Sequence, residues 1–293
     1  MTGKIHIGIS GWRYKGWRGV FYPEKLPQRR ELEFASRKFD SIELNGSFYS
    51  LQRPASFSQW AAETPSGFIF SVKGSRYITH MLRLRNVEGA LANFFAQGVL
   101  LLGSKLGPIL WQFPPNFAFE AEKFEAFLAL LPGTQRQAAE LARKHDERLK
   151  DRSWFDVGYK TTVRHAVEIR HESFATEKFI SLLRRYGVGL VVADTVEWPL
   201  LMDVTSSFVY CRLHGSKELY SSRYEANDLD VWARRIVRWA AGEEVHDGRK
   251  ASGRNAPKRR RRDVYVYFDN DMKVHAPLDA ERLRERVKLL TAS

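Results

Sequence analysis

The sequence predicts a single (β/α)8 barrel, and three observations predict it. Eight short apolar segments recur along 293 residues, separated mostly by segments of helical periodicity. No Gly-x-Gly-x-x-Gly turn follows any of them, which removes one mark of the rival, an open doubly wound sheet. Polar side chains gather at the C-terminal ends of these segments, where a closed barrel builds its sites.

Each element follows in chain order. Lys4-Ile-His-Ile-Gly-Ile-Ser is the first strand, and it opens into a loop, 11–23, dense in aromatics and glycines. A helix is expected at 28–39, a second strand at 40–45, and a helix from Pro54 through Trp60, since proline suits a first helical turn. The third strand, 68–73, leads into a loop, 74–80, and a longer helix at roughly 86–102. The fourth strand, Leu106-Gly-Pro-Ile-Leu-Trp-Gln-Phe, stops at Pro114-Pro115, which cannot continue a ladder. After a helix at 120–131, the charge-rich stretch 133–164 reads as a partly helical insertion. The fifth strand begins His165-Ala-Val-Glu-Ile-Arg-His, and a helix at 175–186 ends at Gly187 in the C-cap position. The sixth and seventh strands cover 189–194 and 208–214, and a helix carrying Trp232, Ile236 and Trp239 on one face runs to about 241. Val264-Tyr-Val-Tyr-Phe-Asp-Asn is the eighth strand, and a helix near 278–290 closes the chain.

Composition narrows the class. Hydrophobic residues at 44% and charged residues at 28% suit a soluble globular chain able to bury a sizeable core. No apolar run approaches the ~20 residues needed to span a bilayer, so no membrane role is expected. The N-terminus lacks a secretory apolar core, and a single cysteine, Cys211, excludes an internal disulfide framework. A cytoplasmic protein is expected. The net charge of +13 (47 Lys+Arg less 34 Asp+Glu) invites a nucleic-acid reading. Yet segment 246–262 holds eight basic residues and one acidic, or +7, leaving +6 for the rest. The excess is therefore read as a basic, flexible loop dispensable for folding.

The strand ends carry the chemistry. Along the fifth strand Glu168 and Arg170 alternate with Val167 and Ile169, so the polar pair shares one face. The same parity puts Glu43, Asn45, Lys73, Gln112, Asp194, Arg212 and His214 inside the mouth. On the eighth strand either Tyr267 and Asp269 or Phe268 and Asn270 point inward. Glu43, Glu168 and Asp194 against Lys73, Arg170 and Arg212 is close to charge balance. A structural ion-pair network would explain that much, but a barrel core is normally filled by Val, Ile and Leu, so a functional pocket is the stronger reading.

These segments resemble a family, the uncharacterised domain-of-unknown-function 72 or YecE-like proteins. The resemblance rests on Gly8-Ile-Ser-Gly-Trp-Arg-Tyr, Trp-x-Gly-x-Phe-Tyr-Pro at 17–23, Glu43-Leu-Asn with Ser47-Phe-Tyr, and Val72-Lys with Ile78-Thr-His. It continues through Gln112 with Pro114-Pro-Asn-Phe, Glu168-Ile-Arg-His-Glu-Ser-Phe, Val209-Tyr-Cys-Arg-Leu-His-Gly and Tyr267-Phe-Asp-Asn. It implies a barrel of the TIM type and a sugar-isomerase-related label, without a reaction. Gly46, Ser47 and Ser75 depart from the Ser, Thr and Pro the pattern leads one to expect.

The expected function is an enzyme acting by acid/base chemistry on a small polar or anionic ligand such as a sugar or sugar phosphate. Glu168 or Glu43 would be the base and Lys73 or His214 the acid. Arg170 and Arg212 would grip an anionic group, with Asn45, Gln112, Asp194 and Asn270 as further binding residues. Trp12, Tyr49, Tyr77 and Trp111 would wall the cleft. No cofactor is expected. The alternative is a divalent metal on Glu168, Asp194, His214 and Asp269, opposed by the three cations in the same mouth. Nucleic-acid binding or metal-dependent nuclease-like processing, with 249–262 supplying phosphate affinity and aromatics stacking bases, is a second reading, and a non-catalytic ligand-binding barrel a third.

Overall fold

The computed structural model describes residues 2–149, 151–158, 161–215, 218–272 and 274–292. Eight parallel strands close into a barrel in sequence order: β1 (Ile5–Ser10), β2 (Ser41–Leu44), β3 (Ile69–Lys73), β4 (Leu106–Gln112), β5 (His165–Glu168), β6 (Gly189–Asp194), β7 (Phe208–Leu213) and β8 (Asp263–Phe268). β8 closes on β1 over the pairs Ile5–Val264 to Ile9–Phe268, so neither edge is left open.

Nine α-helices lie between or after the strands among the described residues: α1 (Glu31–Lys38), α2 (Gly46–Tyr49), α3 (Pro54–Glu63), α4 (Glu88–Ala96), α5 (Ala121–Leu130), α6 (Gln135–Ala142), α7 (Glu177–Tyr186), α8 (Ala226–Ala240) and α9 (His275–Ala292). Local chemistry sets their ends. Pro54 opens α3, and Thr176 caps α7 by accepting from Phe179 N. Gly187 ends α7 at φ 64°, the left-handed turn a glycine tolerates. The insertion is partly helical, as expected: Thr134 and Gln137 form a capping box that starts α6. Its Lys150, Tyr159 and Lys160 lie outside the described residues.

Two expectations change. The helix expected at 86–102 breaks after Ala96, because Gly98 sits at φ 110° with Pro54 so close that a Cβ would lie 2.6 Å from its Cα. The basic segment is irregular but anchored. Asp203 accepts from Ala251 N (2.7 Å) and Ser252 N (3.1 Å), and Arg262 is buried with Nη2 donating to Pro257 O at 2.6 Å. A charge count cannot reveal an acidic anchor so distant in sequence. Arg261 lies with Thr2, Lys4 and Arg164 at the N-terminal pole, opposite the polar strand ends.

The main apolar core packs the outer faces of the strands against the helices and includes Cys211, whose thiol pKa burial pushes up. A second cluster fills the barrel interior: Leu110, Ala166, Val191, Ala193, Phe208, Tyr210, Tyr265 and Tyr267, with Trp198. The interior is unusually polar for such a barrel. Tyr210 and Tyr267 each meet a buried serine hydroxyl, Ser71 and Ser41, at 2.6 Å, so the phenols are satisfied without water. No helix among the described residues is long and apolar enough to cross a membrane.

Candidate functional site

Arg212, near the end of β7, sits at the centre of the mouth with no solvent exposure. Parity places it above Tyr210, and the register sets it level with Tyr267 of β8. Its guanidinium grips Glu43 across the barrel, Nε to Oε2 at 3.0 Å and Nη2 to Oε1 at 2.9 Å. Nη1 donates to Glu168 Oε2 at 2.7 Å and Nη2 to Asp269 Oδ2 at 2.7 Å. A planar fork suits this task as a lysine would not. Glu43 also accepts from Ser10 Oγ and Tyr210 OH, both at 2.6 Å. Its two oxygens thus receive four donors.

Glu168 is held at both oxygens. Its other oxygen accepts from Arg170 Nε at 2.8 Å, and the Arg170 plane lies over Trp198, 4.0 Å from the ring centroid. Burial alone would raise the Glu168 pKa, but Arg212 and then Arg170 outweigh it and hold the carboxyl well below its usual range. Asp269 behaves likewise, with Arg212 and the neighbouring His214 overcoming burial. His214 Nδ1 lies 3.1 Å from Asp269 Oδ2, and burial followed by Arg212 pushes the imidazole pKa down. A base needs a lone pair turned toward its substrate. Glu43 has all four of its acceptor sites taken by fixed donors, and each oxygen of Glu168 is already held by an arginine.

Lys73 is the exception. It ends β3, where Ser47 Oγ donates to its carbonyl at 2.7 Å. Its ammonium lies over the Phe48 ring, 4.3 Å from the centroid, and no carboxylate among the described residues comes within 4.0 Å of it. Burial and then the Arg212 charge push its pKa down to about 8. The adjacent His80 is held neutral, pushed down to about 4 by burial and by Lys73 and Arg170. Asn45, just past β2, and Gln112, at the end of β4, each keep a buried carbonyl oxygen with no hydrogen-bond partner among the described residues. Asn45 spends its amide on Ser10 Oγ at 2.9 Å.

The other expected site residues divide. Tyr267 and Asp269 are the inward pair of β8, so Asn270 points outward, where it donates to Ser222 O and Asp279 Oδ2 at 3.0 Å. Asp194 is also outside: Val191 and Ala193 face the interior, and the carboxylate accepts from Trp232 Nε1 of α8 at 3.1 Å. β6 is apolar on both faces, so its sequence gave no parity signal. Asp269 takes the place in the charge balance that Asp194 was expected to fill. The four-ligand set Glu168, Asp194, His214 and Asp269 therefore does not converge, and Arg212 occupies two of its carboxylates.

Trp12, Tyr49 and Asn45 do come together, lining a cleft of 340 Å³ beside the mouth with Tyr14 and Trp60. Tyr77 is half-buried, with Arg148 of the insertion over its ring. Trp111 faces the helices instead, against Phe94 and Phe127. Ser10 and Tyr210 were missed although their alternation with apolar neighbours marked them. Trp198, Tyr220 and Phe48 come from loops or a single helical turn, where no period exists to be read. Tyr220 reaches the site through Arg170 Nη2 at 3.3 Å, and Asp271 sits behind Asp269 with its pKa pushed up to about 6 by burial and that neighbour.

Comparison with known proteins bears on the whole chain. The family model described as Protein of unknown function DUF72 matches residues 6–293. The chain is 31% identical over 156 residues to the UPF0759 protein YunF of Bacillus subtilis, a match spanning about half of either protein (52%). It is 21% identical over 242 residues to the UPF0759 protein YecE of Escherichia coli, covering 80% of this chain and 82% of that one. Among solved structures, a DUF72 family protein from Thermotoga maritima superposes with a TM-score of 0.73 at 25% identity, covering 97% of this chain and 99% of that one. One from Enterococcus faecalis shares the fold, with a TM-score of 0.68 at 15% identity over 97% and 95%.

Proposed function

The chain belongs to the DUF72 family of proteins of unknown function, and on that premise we propose that its barrel mouth is the acid/base site of an enzyme acting on a small polar or anionic substrate of the sugar or sugar-phosphate kind. One observation carries this reading. Lys73 is a buried cation with no counter-ion of its own, placed beside a charge cluster in which every other member is paired. A lysine kept for structure would be paired, whereas one whose pKa stands at about 8 exchanges protons near neutrality.

The roles follow from what each group has free. Lys73 transfers the proton. Arg212, with Glu43, Glu168 and Asp269, forms a rigid charged floor beneath it. Arg170, side chain 10% exposed and with Nη1 unpaired among the described residues, faces an anionic group. The orphaned oxygens of Asn45 and Gln112 accept from substrate hydroxyls. The cleft at Trp12, Tyr14 and Tyr49 suits the face of a sugar ring.

The test is a thermal-shift panel of sugars and sugar phosphates, followed by NMR detection of turnover of whichever probes bind. Lys73→Met is expected to keep binding and lose about 100-fold or more in rate, the usual scale for a general acid/base. Full turnover by that variant would remove Lys73 from the chemistry. Binding without turnover by the wild type would make the barrel a non-catalytic receptor.

A further inference from the structure

Lys73 has the environment of a nucleophile as well as of an acid. An amine attacks a carbonyl only in its neutral form, and proteins produce that form by desolvating a lysine or setting another cation near it. Both devices are present. The side chain is 8% exposed, its nitrogen lies on the Phe48 ring, and Arg212 supplies a fixed positive charge that cannot be titrated away. The backbone at this position is also held in place. Ser47 Oγ donates to the Lys73 carbonyl at 2.7 Å, and Gly74 N donates to Leu110 O at 2.8 Å, so the residue ends a strand bonded on both sides. Among the described residues the nitrogen meets the Phe48 ring and no hydrogen-bonding donor, so nothing engages its lone pair once the proton departs.

What surrounds the amine indicates what it would attack. The register pair Leu44–Val72 sets Asn45 level with Lys73 on one side, and Lys73–Leu110 sets Gln112 one step further out on the other. The two orphaned oxygens are acceptors, suited to hydroxyls rather than to a second carbonyl.

We propose that Lys73 forms an imine with a substrate aldehyde or ketone flanked by hydroxyls, which narrows the substrate class to hydroxy-aldehydes and hydroxy-ketones. The inference rests on the mouth being the active site. In the first step the amine lone pair bonds to the carbonyl carbon while the C=O π pair moves to oxygen. That oxygen takes a proton released from nitrogen, giving a carbinolamine. The second N–H proton then leaves with the hydroxyl as water, and the nitrogen pair closes C=N. Nothing is oxidised or reduced.

Trapping tests it. The whole chain is incubated with dihydroxyacetone phosphate and sodium cyanoborohydride, which reduces an imine to a stable secondary amine, and lysine labelling is mapped by peptide mass spectrometry. Lys73 is expected to label about tenfold or more faster than the exposed Lys258, as a lower pKa leaves more neutral amine near neutrality. Its labelling rate should rise with pH through about 8, and the label should be absent from Lys73→Arg. Label confined to surface lysines overturns the imine. Glycerol 3-phosphate, which has no carbonyl, separates the two readings. If it raises the thermal midpoint while Lys73 stays unlabelled, the imine is overturned and the acid/base site stands. If neither label nor shift appears, both are overturned.

Discussion

Arg212 and Lys73 are both cations at the ends of barrel strands, and both are shielded from solvent, yet their surroundings are opposite. Arg212 meets Glu43, Glu168 and Asp269 within 3.0 Å, whereas Lys73 meets the face of Phe48. Around Arg212 every oxygen of Glu43 and Glu168 has a fixed donor. Around Lys73, just past β2 and at the end of β4, Asn45 and Gln112 hold carbonyl oxygens that nothing among the described residues satisfies. Burying a charge is costly without a partner, so the first arrangement is what a fold keeps for itself and the second is what it keeps for a ligand. Charge balance of the whole mouth, which both regions share, does not distinguish them. Partner geometry does.

Removing the centre should cost most. Arg212→Met removes the cation that Glu43, Glu168 and Asp269 share, leaving the buried Glu43 with none, and should lower stability by about 3–5 kcal/mol in denaturant unfolding, the scale for breaking a buried ion pair. A loss below about 1 kcal/mol would show that the centre is no keystone. Glu168→Gln should cost less, about 2–3 kcal/mol, because shape is kept while charge-assisted bonds to Arg170 and Arg212 are weakened. The depressed pKa values of Glu168 and Asp269 add a pH signature. Their contribution is present above the unfolded carboxylate pKa and is lost as pH falls through the folded one, so it survives mild acid.

At the rim the sign reverses. Lys73→Met removes a buried cation whose burial and Arg212 neighbour outweigh the pull of the more distant Glu43, Asp269 and Glu168, and should raise stability, by about 1–2 kcal/mol. Folding lowers the Lys73 pKa from 10.5 to about 8, so between those values the unfolded chain binds more protons and wild-type stability rises with pH. The advantage of the methionine variant should therefore be full below pH 8 and fade toward 10.5. A destabilised variant at neutral pH would return Lys73 to the structural cluster.

Much of this was legible in the sequence, and the failures have physical reasons. Eight strands were readable because each mixes short apolar runs with clear boundaries, and parity placed Glu43, Lys73, Glu168, Arg170, Arg212 and His214 correctly in the mouth. Parity failed on β6, where Leu190, Val192 and Val191 are all buried and Asp194, one residue after the inward Ala193, falls on the outer face. On β8 alternating Tyr and Val left two choices, which the Asp269–Arg212 contact resolves. The distinction between committed and free groups was not legible at all. It depends on Ser10 reaching Glu43 from the neighbouring strand and Tyr210 from across the barrel, contacts between residues 33 and 167 positions apart. The anchored basic segment has the same cause, since Asp203 binds it from 48 positions away.

The central claim is that Lys73 is free in the sense that Arg212 is not, and its proton affinity reports this directly. Reductive 13C-methylation of the lysines followed by an NMR titration, with the Lys73 resonance assigned by its absence from Lys73→Arg, measures that affinity in the intact chain. The account predicts a midpoint of about 8. A midpoint near 10.5, the ordinary lysine value, would mean that the amine is solvated or paired, and would contradict the account.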